Sequence, residues 1–454
     1  MEDRIMRTSR IERWGFALFM AGQGIVNTFV GNFLQLYLTD IGITAVAVGL
    51  LFMVARIWDA VNDPIFGVIL DKTNLKGGKF LPFLRASNIL LPVAVILLYA
   101  VPNGLSMWGK LVWSFVAYLF YDVAYTICDV PIFAMTSAVT DQVHERVDIM
   151  SRNTVLSAVA MLIALVAIPQ LYPTAGPLAC AVGVAVTAAV TMFFMSHYAK
   201  ERYINKDEEE VSLKQMVDYV KENKYLRYGF LGIMLLSVTN MTNAVMNYFA
   251  IYCLGDIGMV SIMGVMGVLP SLFIAAFMPA LTKRFDKFEI LMVGVAGQTI
   301  MSIVTFFVGY ENKVLFLACM LIRWIFFGIQ LVLQLQLTGD FVEYGEYMTG
   351  KRLQGTAYSI QTFVFKFMNA LPGSLAMLLL GFFGFGSGEN AAQPASAVQA
   401  IWVLFVLSPV AGALLCIPVF RRYKLRDKIV QFMAAANSGD ITREEAEKHI
   451  AGKY

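Results

Sequence analysis

Charge is scarce in this sequence. Only 15% of its 454 residues are Asp, Glu, Lys or Arg, where a soluble chain carries about 25%, and the shortage excludes an ordinary water-facing globule. Histidine is nearly missing: His144, His197 and His449 are the only three. All fall at or beyond the ends of apolar segments, so no histidine proton relay runs through the apolar interior. The five cysteines (Cys128, Cys180, Cys253, Cys319 and Cys416) lie singly in apolar runs with no CxxC pair, which argues against a disulfide framework or a zinc site. The polar, basic stretch Met1 to Arg13 lacks the cleavage-site pattern of a secretory leader. The first apolar segment is therefore expected to serve as the insertion signal. A net charge of +3 gives no reason to expect a nucleic-acid partner.

What is abundant is apolar length. Hydrophobic residues make up 58% of the chain, and runs of about 20 residues recur from Trp14 to Phe420, each able to cross a hydrocarbon core roughly 30 Å thick. Twelve segments are expected, over 14–38, 45–70, 81–101, 109–138, 153–172 and 176–197, then 227–254, 258–282, 288–310, 314–340, 353–383 and 398–420. This predicts an all-α membrane protein. Its expected parts are a six-helix bundle over 1–198, a cytoplasmic central loop over 199–225 with the acidic run Asp207 to Glu210, a second bundle over 226–420, and a tail over 421–454, read as a short amphipathic or disordered extension.

Orientation follows from basic residues. With the N-terminus inside, the inner loops receive Lys72, Lys76, Lys79, Arg146, Lys283, Arg284, Lys287, Lys351 and Arg352, while the outer loops receive only Lys110 and Lys313. Both termini are expected in the cytoplasm of a cell-membrane protein, in contact with the bilayer and working as a monomer. The basic loops after segments II and VIII (Asp71-Lys72-Thr73 to Gly78-Lys79, and Thr282 to Lys287) occupy matching places in the two halves, a weak internal repeat.

Ionisable groups at membrane depth are costly and face a cavity or one another. Segment II holds Arg56, Asp59 and Asp63 with Asn62 between the acids. Asp59 and Asp63 share one helical face, and Arg56 lies one turn outward. Segment IV holds Asp122 and Asp129, two turns apart, with Thr126 on the face of Asp129. Segment XI carries Lys366 in a polar stripe with Gln354, Tyr358, Gln361, Thr362 and Asn369. Asp59, Asp63 and Asp129 cannot all be ionised in a dry site without positive charge nearby. Arg56 or Lys366 can supply it, or a mobile cation can. Carboxylates with Asn62 and Thr126 make an all-oxygen shell suited to a hard ion such as Na⁺. If protons are used instead, a carboxylate must carry them. A salt-bridge network that merely holds segments II, IV and XI in register is the competing reading, and for Arg56 a purely structural role weighs about equally.

At this point the motifs resemble a known family. Arg56-Ile57-Trp58-Asp59-Ala60-Val61-Asn62-Asp63-Pro64, followed by Gly67, Asp71 and Gly78-Lys79-Phe80, is similar to the signature of the glycoside–pentoside–hexuronide:cation symporters. So are Asp340-Phe341-Val342-Glu343-Tyr344-Gly345-Glu346 with Thr349-Gly350-Lys351-Arg352, and Tyr125-Thr126-Ile127-Cys128-Asp129-Val130-Pro131. The three motifs in order, with six plus six segments, span the chain and imply the major facilitator fold. The resemblance implies that Asp59, Asn62, Asp63, Thr126 and Asp129 form an Na⁺ or H⁺ site and that Asp129 also touches sugar. It further implies that Arg152 belongs to the sugar site and that Lys366 contacts the acidic cluster. Asp340, Glu343 and Arg352 then read as gate or hinge contacts at the inner end.

Two departures bear on the solute. Melibiose-carrying members of the family have a sugar-binding aspartate in helix I, where this chain reads Ala21-Gly22-Gln23-Gly24. Their sugar-stacking tryptophan of helix IV is matched by Phe133, which can stack without an N–H donor. Gln23 and Asn27 can offer amide hydrogen bonds instead, and Gln361 joins the substrate candidates from segment XI. Asp122 sits outward of Asp129, at solute or at a vestibule. The expected activity is cation-coupled symport of a glycoside, oligosaccharide or hexuronide by alternating access, with no cofactor beyond the coupling ion. Three rivals stand: a lysolipid or other amphiphile transporter, a sensor that kept the fold but lost transport, and a prenyltransferase-type enzyme reading Asn62-Asp63 and Asp71 as a metal–diphosphate motif.

Overall fold

The computed structural model describes residues 7–73, 77–140, 142–203, 213–350, 353–388 and 391–453. The described chain is helical. Six long helices come first: α1 (Arg10–Asp40), α2 (Ala45–Lys72), α3 (Leu81–Tyr99), α4 (Met107–Val139), α5 (Val143–Ala175) and α6 (Pro177–Tyr198). A short α7 (Leu213–Glu222) lies in the central loop. The seventh expected span is broken into α8 (Lys224–Leu236), a 3₁₀ turn (Ser237–Asn240), α9 (Met241–Ala244) and α10 (Met246–Tyr252). Then follow α11 (Met259–Thr282), α12 (Lys287–Val308), α13 (Lys313–Thr349), α14 (Gln354–Phe382) and α15 (Ala395–Phe420), with α16 (Asp427–Ser438) and α17 (Arg443–Ile450) in the tail. Among the described residues, eleven stretches are long and apolar enough to cross a membrane, and α2 adds the shorter apolar stretch Ala45–Arg56. The expected inner loop at Asp340 is instead helix: α13 runs on to Thr349.

Lipid-facing surfaces are legible in what is exposed. Val182, Val186 and Val190 on α6, and Val155, Val159 and Ile163 on α5, recur every fourth residue and are all exposed. That polarity is the reverse of a soluble helix, which would keep such residues inside. Small residues do the opposite work. A Cβ at Gly22 of α1 would fall 2.2 Å from Thr191 Oγ1, and one at Gly15 would fall 3.1 Å from the Met195 backbone. The two glycines let α1 lie close against α6, the small-residue packing of membrane helices.

The chain divides into two compact units. The first comprises 1–208 with 250–264 and 377–397, and the second 209–249 with 265–376 and 398–454. In the first, α3 begins on the Glu201 carboxylate, just past α6, which accepts the backbone N–H groups of Lys79, Phe80 and Leu81 at 2.7, 2.8 and 2.7 Å. The second unit repeats the device: Asp427, just past α15, accepts the Lys287 N–H at the start of α12 at 2.9 Å. Both carboxylates satisfy donors that a helix start leaves open.

The break between α8 and α10 contains no proline or glycine. Its cause lies on neighbouring helices. Pro372 and Pro409 have no N–H, so the carbonyls four residues earlier, Met368 on α14 and Phe405 on α15, lose their helical donors. Asn240 Nδ2 donates to the Met368 carbonyl at 3.2 Å, and Thr242 Oγ1 to that of Phe405 at 3.0 Å. Gly412 of α15 packs directly on the break, where a Cβ would fall 2.9 Å from the Leu236 carbonyl oxygen and 3.0 Å from Thr239 Oγ1. Gly412→Ala is expected to destabilise by about 1–3 kcal/mol through overpacking, read as a lower unfolding midpoint in detergent. An unchanged midpoint would mean that the two backbones part without cost.

Candidate functional site

The first unit brings most of the expected polar residues together. On α2, Arg56 Nη1 lies 3.7 Å from Asp59 Oδ2. One turn on, buried Asn62 donates through Nδ2 to Thr126 Oγ1 at 2.9 Å and reaches Asp122 Oδ2 at 3.4 Å, both on α4. Asp122 lies near both the Asp59 carboxyl and the Arg56 guanidinium, so the positive charge of Arg56 stands between the two acids' helices. Asp122, placed outward of the cation site from sequence, is thus joined to it through Asn62. Asp63 sits on α2 one turn beyond Asp59, and its side chain lies outside the described residues.

Asp129 occupies the other end of the same face of α4. Gln23 on α1 donates through Nε2 to Asp129 Oδ1 at 2.7 Å. The remaining amide oxygen of Gln23 is buried and has no hydrogen-bond partner among the described residues, so it is an acceptor aimed beside a carboxylate. Asn27, one turn along α1, is exposed, as is Phe133 on α4 at 50%. Gln23 thereby stands where the sequence lacks the helix I acid, and it holds Asp129 instead of replacing it.

Arg152, expected in the sugar site, makes its contacts within the first unit. Its Nε donates to Asp148 Oδ2 at 2.9 Å, one turn earlier on α5, and its guanidinium lies over the Trp14 ring at 5.2 Å. Asp148 also faces Arg13 at 3.9 Å, so Arg152 belongs to a network at the start of α1. Lys366 and Gln361 are half-buried on α14 in the second unit, and the Gln361 side-chain oxygen is buried with no partner among the described residues. Tyr358 and Asn369 of the same stripe are exposed.

The gate candidates are tied down. Asp340 Oδ1 binds Lys287 Nζ at 2.5 Å, and Lys287 lies 3.3 Å from Asp427. Glu343 accepts from Asn437 Nδ2 at 3.1 Å, and Tyr347 donates to Glu447 at 2.8 Å. The tail, read from sequence as an amphipathic or disordered extension, is here a helical hairpin docked on α13. Its second helix starts with a capping box in which the Thr442 backbone and hydroxyl hold the Glu445 carboxyl below its ordinary range. Arg352 lies outside the described residues.

Sequence reasoning missed Arg323 on α13, which is 1% exposed. Its Nη1 donates to the Phe405 and Val406 carbonyls at 3.1 and 3.4 Å, and its Nη2 to Thr242 Oγ1 at 3.4 Å. The signal was present, because an arginine between Leu321-Ile322 and Trp324-Ile325 is as unusual at membrane depth as Asp59. Among the described residues, no group of three His, Cys, Asp or Glu side chains is disposed to hold a metal ion. The polar set on α2 and α4 combines the amide of Asn62 and the hydroxyl of Thr126 with the Asp122 carboxyl.

The chain matches the model of a family described as MFS/sugar transport protein over residues 15–427. It is 29% identical over 442 residues to the uncharacterized symporter YnaJ of Bacillus subtilis (strain 168), covering 94% of each chain. It is 28% identical over 461 residues to the isoprimeverose transporter of Lactiplantibacillus pentosus, covering 96% of this chain and 92% of that one. Among solved structures, the nucleoside transporter NupG superposes with a TM-score of 0.68 at 14% identity, covering 91% of this chain and all of that one, a likeness of fold. A family match over most of the chain, on helices that bury amides, carboxylates and guanidinium groups between apolar faces, identifies a multi-pass membrane transporter and not an enzyme: the chain belongs to the MFS/sugar transport protein family.

Proposed function

We propose that this protein is a cation-coupled symporter for a glycoside, oligosaccharide or hexuronide, working by alternating access as a monomer in the cell membrane with both termini in the cytoplasm. The observation that carries the proposal is the linked polar set of the first unit, Arg56–Asp59–Asp122–Asn62–Thr126 beside Gln23–Asp129, on apolar helices. The isoprimeverose transporter among its relatives supports a glycoside. In this reading Na⁺ or H⁺ neutralises part of the carboxylate set, Asp63 included, and fixes Asp129 for hydrogen bonding to solute hydroxyls. Gln23 and Asn27 add amide contacts, and Phe133 offers its ring face. Solute tightens cation binding by the factor by which the cation tightens solute binding. Membrane potential adds about 2.3 kcal/mol per charge per 100 mV to inward movement.

Uptake into membrane vesicles, with a panel of glycosides and hexuronides under an imposed Na⁺ or H⁺ gradient, tests the proposal. Accumulation is expected with one gradient and is expected to vanish in Asp63→Cys. Uptake of lysolipid with no accumulation of any sugar would overturn the sugar reading.

A further inference from the structure

We propose that the tail hairpin and the end of α15 build a binding site for a phosphate-bearing anion, separate from the transport path. A cavity of about 500 Å³ is lined by Lys424, Arg426, Lys428 and Lys453, with His449 and the apolar floor Ile429, Phe432 and Ile450. Four cations surround one cavity, and none of the lining residues is acidic. The carboxylates nearby are engaged elsewhere: Asp427 with Lys287, and Glu447 with Tyr347.

Two of the cations, Arg426 and Lys453, are held by contacts. The Arg426 guanidinium lies over the Phe288 ring at 4.7 Å, and its Nη1 is buried with no hydrogen-bond partner among the described residues. The ring contact fixes the guanidinium at the cavity wall. Lys453 is fixed by donating to the His449 carbonyl at 2.7 Å, and the His449 ring stacks on Phe432 at 4.7 Å. Lys428 and Ile429 open α16, so the cavity also meets the positive end of a 12-residue helix.

Phosphate fits these donors better than carboxylate does. Forked guanidinium and clustered ammonium groups suit an oxygen-rich dianion or diester. The cavity begins four residues after the last apolar helix ends at Phe420, which puts it at the level of the headgroups. There, each basic residue near an anionic surface contributes about 1 kcal/mol. The phosphate can come from a lipid headgroup or from a free phosphate.

The test uses full-length protein in neutral detergent, titrated with phosphatidylglycerol or with inorganic phosphate, and counts retained ligand by native mass spectrometry. One phosphate-bearing ligand per chain is expected. Lys424→Gln with Lys428→Gln is expected to weaken retention roughly 30-fold, whereas Lys424→Arg with Lys428→Arg should retain it, which separates loss of charge from loss of fold. Retention of the lipid alone identifies a headgroup site, and retention of phosphate, with lipid displaced by it, identifies a free phosphate site. The proposal fails if the parent retains neither, or if the glutamine variant retains either one as the parent does.

Discussion

Asp129→Asn is expected to abolish gradient-driven accumulation while leaving the protein folded in the membrane. The substitution keeps the shape and the contact with Gln23 Nε2, which donates to Asp129 Oδ1 at 2.7 Å. It removes only the charge. Hydrogen bonds to a charged group are worth about 1.5–3 kcal/mol against about 1 for a neutral pair, so solute affinity should fall roughly 2- to 30-fold. Coupling should suffer more, because the carboxylate is one of the charges the cation is proposed to neutralise. Cation-stimulated solute binding, measured without any gradient, separates the two effects. Stimulation that survives at the parent's level would remove Asp129 from the coupling site and leave it a solute ligand alone.

Much of this arrangement was legible in the sequence because the bilayer makes ionisable residues conspicuous. Asp59, Asn62, Asp122 and Thr126 stand at helical spacing on two segments, and α2 and α4 bring Asn62, Asp122 and Thr126 within hydrogen-bonding distance. Arg152 pairs with Asp148, four residues earlier on the same helix, a spacing that helical periodicity offers for an ion pair. The pairing of Asp340 with Lys287 joins residues 53 apart, and no local pattern encodes it. The break between α8 and α10 was invisible for a related reason. Its determinants are Pro372, Pro409 and Gly412, all on other segments, and a helix-by-helix reading finds nothing unusual between Ser237 and Val245. Nor does the order of segments reveal that 250–264 and 377–397 cluster with the first six helices. Gly388 N–H donates to the Thr39 carbonyl at 2.9 Å, and Ser261 Oγ to that of Val166 at 3.0 Å. Both contacts end on a backbone carbonyl, an acceptor that every residue presents and that marks no position in the sequence.

Arg323→Ala is expected to be the most damaging single change in the second unit, and Arg323→Met is expected to recover most of the loss. Three effects compete. The guanidinium makes hydrogen bonds to the Phe405 and Val406 carbonyls and to Thr242. Bonds of this kind inside membrane proteins average about 0.6 kcal/mol, so together they supply about 2 kcal/mol. Releasing a buried cation from a site that is 1% exposed works the other way and offsets some or all of that. Volume outweighs both. Emptying a position packed against Trp324 and Phe405 costs on the order of 2–5 kcal/mol in a well-packed interior, and methionine refills most of it. Phe405 would keep Thr242 as its donor in either variant, so the proline-freed carbonyl is not stranded. Unfolding midpoints in detergent should therefore fall in the order parent, Met, Ala, with the wider gap between Met and Ala. If Met falls as far as Ala, the forked donors outweigh the volume, and the link between α9 and α15 is held chiefly by the charge.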